Sequence, residues 1–200
     1  LAWAGQVTEG QVPVYLAHDM GGGAERYLKG LIDVDLAAGR PAVVLRVGGA
    51  TRWQLELHGP GGVTRGESAD TAFVARMIKL MPRRRVVYSC GVGDEHAIGL
   101  PGVLLDLAER DGEATPGQSG KAAGPHSLEV LFNDYFPLSP SFNLLNGEGI
   151  FDGVPAAEST DPAHQATAAD GRFVGLTEWR TQWGALLAEA DRITAVSDSS

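Results

Sequence analysis

The chain has 200 residues, of which 44% are hydrophobic and 20% charged, enough to build one domain around a proper core. Its formal net charge is -9, and its longest basic run is Arg83-Arg84-Arg85, a balance that argues against a nucleic-acid surface. A single Cys excludes an intrachain disulfide framework and a Cys-based zinc site, and no apolar run approaches the ~18 residues of a membrane helix.

Residues 12–20 form a short apolar run that predicts a strand. Gly21-Gly22-Gly23 follows. Residues 24–38 then place Tyr27, Leu28, Leu31 and Ile32 at helical spacing, with Gly39 as a natural stop. Residues 42–47 are a second buried strand. Strand, glycine turn, helix and strand make a βαβ unit, whose crossover implies a parallel pair. Residues 53–58 alternate apolar and polar like a half-buried strand, and His58 before Gly59-Pro60-Gly61-Gly62 marks a hairpin turn. Residues 71–80 predict a helix capped by Ser68 or Asp70 and ended at Pro82. A strand at 85–89 and a helix at 101–110 come next, the helix with Pro101 in its first turn and Gly112 behind it. Residues 111–126 read as a surface loop, 127–132 as a strand, and 133–175 have no clear periodicity. Residues 176–190 are a helix carrying Trp179, Trp183, Leu186 and Leu187 on one side, before a last strand at 193–196. This alternation predicts an α/β fold over 1–200. It is a single Rossmann-like, doubly wound domain, with a mainly parallel sheet flanked by helices and ligands gathered at the carboxyl ends of the strands. The chain opens Leu1-Ala2-Trp3 and stops after residues that favour a helix N-cap, so the expectation is a domain-sized part of a longer protein.

Two stretches carry possible chemistry. In His18-Asp19-Met20-Gly21-Gly22-Gly23-Ala24-Glu25-Arg26, three glycines between a strand and a helix let a backbone approach a ligand, and the helix N-terminus favours an anion. The spacing is neither GxGxxG nor a P-loop, and a tight structural turn is the competing reading. Asn133-Asp134-Tyr135-Phe136-Pro137 follows a strand directly, where α/β sites are built. Its competing reading is a proline-pinned loop burying Tyr135, Phe136 and Phe142. His18 is the leading ionisable candidate. Asp94, Glu95 and His96 form a second tier at the end of the fourth strand. His126 and His164 are expected to be solvated, Cys90 to be a packing residue, and Trp179 and Trp183 to be core.

In order along the chain, Gly-Gly-Gly-Ala-Glu-Arg, Asn133-Asp134-Tyr135-Phe136-Pro137, Glu178-Trp179-Arg180-Thr181-Gln182-Trp183 and Ala190-Asp191-Arg192-Ile193-Thr194-Ala195-Val196-Ser197 are similar to four motifs of one family. Over nearly its whole length the chain resembles the N-terminal domain of a GT-B glycosyltransferase of the GT4-like, bacterial surface-polysaccharide kind. The resemblance implies two Rossmann-like domains facing a cleft, with the donor-binding C-terminal domain absent from this chain. It implies a sugar nucleotide as co-substrate, a carbohydrate acceptor, retention of configuration, no other cofactor and no obligatory divalent ion. It places the enzyme in the cytoplasm, with peripheral contact at the inner face of the membrane, and the isolated domain is expected to be inactive. By the same resemblance Gly21, Gly22 and Gly23 are the donor-phosphate loop and His18, Asn133 and Asp134 are the candidate catalytic groups. Asp94, Glu95, His96 and Tyr135 are acceptor-side candidates. Two departures stand out. Asn133 replaces the family's His, and cannot exchange a proton near neutral pH. Phe151-Asp152-Gly153-Val154-Pro155 lacks the cysteines of many relatives, so no metal site is expected there. The rival readings are a sugar-nucleotide epimerase of the same fold and a non-catalytic Rossmann-type nucleotide- or carbohydrate-binding module.

Overall fold

The computed structural model describes residues 10–109 and 126–196. Leu1-Ala2-Trp3, Arg110, nearly all of the expected 111–126 loop and the capping residues after Val196 lie outside the described residues. The chain runs β1 (Val12–His18), α1 (Gly23–Ala37), β2 (Ala42–Val47), β3 (Trp53–Gly59), β4 (Gly62–Ser68), α2 (Thr71–Lys79), β5 (Arg84–Tyr88), α3 (Leu100–Leu107) and β6 (Ser127–Phe132). It continues through β7 (Ala166–Thr167), β8 (Phe173–Val174), α4 (Leu176–Glu189) and β9 (Arg192–Ala195). Seven strands form one sheet in the order β4-β3-β2-β1-β5-β6-β9, while β7 and β8 pair separately. β2, β1, β5, β6 and β9 are parallel; β3 and β4 add an antiparallel edge. The α/β, Rossmann-like architecture is as expected.

β1 lies at the centre, with Val14 opposite Val43 on one side and Val86 on the other. Every residue of β1 and of β2 is buried, which is why both read as continuous apolar runs and not as alternating ones. Alternate side chains serve the two faces. Val14, Leu16, Leu45, Val86 and Tyr88 meet α2, α3 and α4, whereas Tyr15, Ala17, Val44 and Val87 meet Leu28 and Ile32 of α1. Asp35 continues the buried stripe of α1 and is satisfied there. It accepts from the Tyr15 hydroxyl at 2.6 Å and from Arg40 and Arg85, each at 2.8 Å.

α4 seals the other face. Trp179 and Trp183 are core, as predicted, and Phe136 joins them with its ring centroid 5.1 Å from that of Trp179. Only Phe136 of the three loop aromatics is buried; Tyr135 and Phe142 are exposed, so the loop does not make the satellite core considered for it. His126 and His164 are buried, contrary to the solvated positions expected of loop histidines. The His126 Nδ1 accepts from the Arg84 backbone N–H, and the His164 Nδ1 lies 2.8 Å from the Ser139 hydroxyl. β4 was not predicted. Gly-Val-Thr-Arg-Gly-Glu-Ser has no apolar period, and its extended form is imposed by the ladder to β3. Among the described residues, no helix is long and apolar enough to cross a membrane.

Candidate functional site at the carboxyl edge of the sheet

Because β1, β2, β5 and β6 are parallel, the segments that leave them emerge at one edge. β1 ends at His18, and the chain turns through Asp19 and Met20 into the glycines. Gly21 and Gly22 hold φ of +75° and +98°, a conformation that L side chains rarely adopt. Gly22 is the N-cap of α1, and no side chain caps that helix. A Cβ added at Gly21, Gly22 or Gly23 would meet nothing within 4 Å. The loop therefore faces open space, and Gly23 has neither a strained φ nor a crowding neighbour to require it.

His18 is buried beneath this loop. Its Nδ1 accepts the Met20 backbone N–H at 2.9 Å, so the neutral ring carries its hydrogen on Nε2. Burial lowers the His18 pKa below its ordinary value. The Glu25 carboxylate opposes that shift, the Arg46 guanidinium adds to it, and Asp134 opposes it. Arg46 fixes the region. It donates to the His18 carbonyl at 3.1 Å, to Glu25 in the first turn of α1 at 2.9 Å, and to Glu56 of β3 at 3.2 Å. One buried cation thus ties β1, β2, β3 and α1 together. Sequence reading passed over it, although a lone charge inside the apolar run 42–47 was the available signal.

At the end of β6, the Asn133 amide donates to the Ser89 carbonyl at 2.8 Å and the Ser89 hydroxyl at 3.2 Å. Asp134 accepts from the Phe136 N–H at 2.9 Å with one oxygen and from the Cys90 thiol at 3.2 Å with the other. Burial raises the Asp134 pKa, with those two hydrogen bonds opposing. Burial, reinforced by Asp134, pushes the Cys90 thiol up as well, the reverse of an activated thiolate. Cys90 is a packing residue that also donates a hydrogen bond. Asn133 and Asp134 pin the loop, and the Asp134 charge acts to raise the proton affinity of His18.

A second group adjoins the first. Gly48, with φ of +83°, packs against Gly93 so closely that a Cβ would come within 3.3 Å of the Gly93 carbonyl. A Cβ at Gly93 would in turn lie 3.5 Å from the Met20 methyl. Asp94, Glu95 and His96 follow Gly93 and share a polar cavity of about 190 Å³ with Arg52. The Arg52 guanidinium lies 5.1 Å from the centroid of the Trp53 ring. Neither Arg52 nor the pair Gly48 and Gly49 was singled out from sequence. Tyr135 is exposed on the β6 loop. A larger cavity of about 460 Å³ lies at the opposite edge, around Pro41 and the Gly59–Gly62 turn, far from these groups. Among the described residues, no group of three or more His, Cys, Asp or Glu could hold a metal ion. Comparison of the chain with family models, curated proteins and solved structures gave no match.

Proposed function

We propose that this chain is the acceptor-side domain of a sugar-nucleotide-dependent glycosyltransferase. It works with a donor-binding domain to move a glycosyl group onto a carbohydrate hydroxyl in bacterial polysaccharide or glycoconjugate assembly. The work is done in the cytoplasm, at the inner face of the membrane. One observation carries the reading. The open glycine loop, buried His18 and the Asp134 loop converge on one sheet edge, in the order in which the resemblance would assign them.

In this reading the uncapped amino end of α1 supplies backbone N–H groups and the positive end of a helix dipole to the departing diphosphate. Such preorganised donors act where charge develops in the transition state. The space before Gly23 admits the transferred sugar. Neutral His18 presents Nε2–H as a donor, and it is tied to the loop through Met20. Asp134 is a positioning residue, because both of its oxygens are committed within the protein.

The test is Gly23→Trp in the whole gene product. The backbone accepts a side chain at that position, so folding is expected to persist while transfer falls at least ~100-fold through exclusion of the sugar. Release of nucleoside diphosphate from a panel of sugar nucleotides measures it. Unchanged turnover in the variant would refute the role of the loop, and release of an epimerised sugar nucleotide by the unmodified protein would favour the epimerase.

A further inference from the structure

β4 ends the sheet on one side, and its seven residues pair with β3 alone among the described strands. The ladder fixes which of its backbone groups point outward. The Asp19 N–H donates to the Val47 carbonyl at 3.1 Å, so Val47, Leu45 and Val43 turn their backbone groups toward β1. Ala42, Val44 and Arg46 therefore turn theirs toward β3, where they pair with His58, Glu56 and Gln54. The intervening Leu55 and Leu57 face β4 and pair with Gly66 and Thr64. The N–H and C=O groups of Val63, Arg65 and Glu67 are left pointing away from the sheet, with no partner among the described residues. A row of this kind is a template for another strand.

We infer that β4 pairs with β4 of a second copy of this chain, antiparallel, about a two-fold axis at Gly66. Charge selects both the occupant and the register. With the axis at Gly66, Arg65 stands opposite Glu67 of the second copy, twice by symmetry, and Thr64 stands opposite its Ser68. An axis at Arg65 or at Glu67 would set like charges face to face, and one at Thr64 would leave both charges unmatched. Both side chains are available. Arg65 spends only its Nε, on Glu56 at 3.1 Å, and its side chain is 72% exposed. Glu67 spends one oxygen on the Thr51 hydroxyl at 2.9 Å. The backbone agrees, because Arg65 and Glu67 carry the outward groups and so form the hydrogen-bonded pairs. The two Gly66 residues then meet as a non-hydrogen-bonded pair, the closer kind, about 4.5 Å apart at Cα. An added Cβ at Gly66 would meet nothing within 4 Å, so the approach is open. The axis is normal to the sheet, which sets α2 of both copies on one face. An apolar groove of about 310 Å³ between β4 and α2, walled by Leu55, Leu57, Met77 and half-exposed Phe73, opens there toward its twin, and burying it adds to the pairing. The pairing stands whether or not the chain transfers a sugar.

The experiment is sedimentation velocity on this chain from micromolar to submillimolar concentration, with amide hydrogen exchange measured at both ends of the range. A dimer is expected at the upper end. The Arg65 and Glu67 amides should exchange freely in the monomer and slowly in the dimer, while those of Thr64 and Gly66, already bonded to β3, change little. Arg65→Glu and Glu67→Arg should each weaken dimerisation at least ~10-fold, because either change turns both cross-strand pairs repulsive. An equimolar mixture of the two variants should dimerise again, since opposite charges then meet at both pairs. If Arg65→Glu disturbs Glu56 and loses its dispersed amide spectrum, Glu67→Arg and the exchange pattern of the parent carry the test. A monomer at every concentration overturns the proposal, as does a dimer indifferent to the charge reversals. Slow exchange of the Arg65 and Glu67 amides already in the monomer overturns it too, because a segment of the same chain would then cover the edge.

Discussion

His18 shows how one side chain couples the site to stability. Its ring is buried, its Nδ1 is spent on Met20, and burial holds its pKa below the ordinary ~6.5. The unfolded chain therefore takes up a proton at a higher pH than the folded one. The contribution of neutral His18 is complete above ~6.5 and is lost as the pH falls toward the lower folded value. Urea unfolding midpoints should decline between about pH 7.5 and about pH 5.5. His18→Asn, whose side-chain oxygen can still accept from Met20, should flatten that decline, and a slope identical to that of the parent would rule His18 out as its source. At this scale sequence reading was uneven. His18 and Asp134 were legible because polar residues ending apolar strands draw attention. The burial of His126 and His164 was not, since their partners Arg84 and Ser139 lie 42 and 25 residues away.

Among the elements, α4 offers a controlled comparison. Trp179 and Trp183 are both buried, one turn apart, with ring centroids 5.9 Å from each other. The Trp179 indole donates to the Phe136 carbonyl at 2.9 Å, whereas the Trp183 Nε1 has no hydrogen-bond partner among the described residues. Replacement by Phe removes similar apolar volume at either site, but deletes a buried hydrogen bond only at the first, where the Phe136 carbonyl keeps the Ser139 N–H at 3.2 Å. Trp179→Phe should therefore cost about 1 kcal/mol more than Trp183→Phe in chemical unfolding, and equal costs would show that the Phe136 hydrogen bond contributes nothing. α4 was readable because its apolar stripe repeats at helical spacing. β4 was not, because a strand that is exposed along most of its length writes no pattern, and β3 alone decides its conformation. The β7 and β8 pair was missed because two-residue strands are too short to show a period.

Across the whole molecule, the alternation of strands and helices was enough to foresee the class and the mainly parallel sheet. It did not disclose that β1 would be central, because order within a sheet depends on pairings between distant segments. The polar pocket was half visible. Asp94 and His96 stood out as ionisable residues after a strand, but Arg52 and the apposition of Gly48 and Gly93 exist only once β2 and β5 flank β1. That central position also bears on how the chain finds its fold. On one side of β1, the β2–β3–β4 meander joins near neighbours in sequence. On the other, Glu129 of β6 pairs with Arg192 of β9 only after residues 133–191 have been threaded through α4. Local pairings close small loops and form early, while distant parallel ones must first meet a large loss of chain entropy. Pulse-labelled hydrogen exchange during refolding should find β2 and β3 amides protected before those of β6 and β9. Simultaneous protection would mean that the sheet condenses as one unit. On the expected order, the glycine loop and the Gly48 turn are drawn up early around β1, and the loop that carries Asn133 and Asp134 is the last piece of the carboxyl edge to be set.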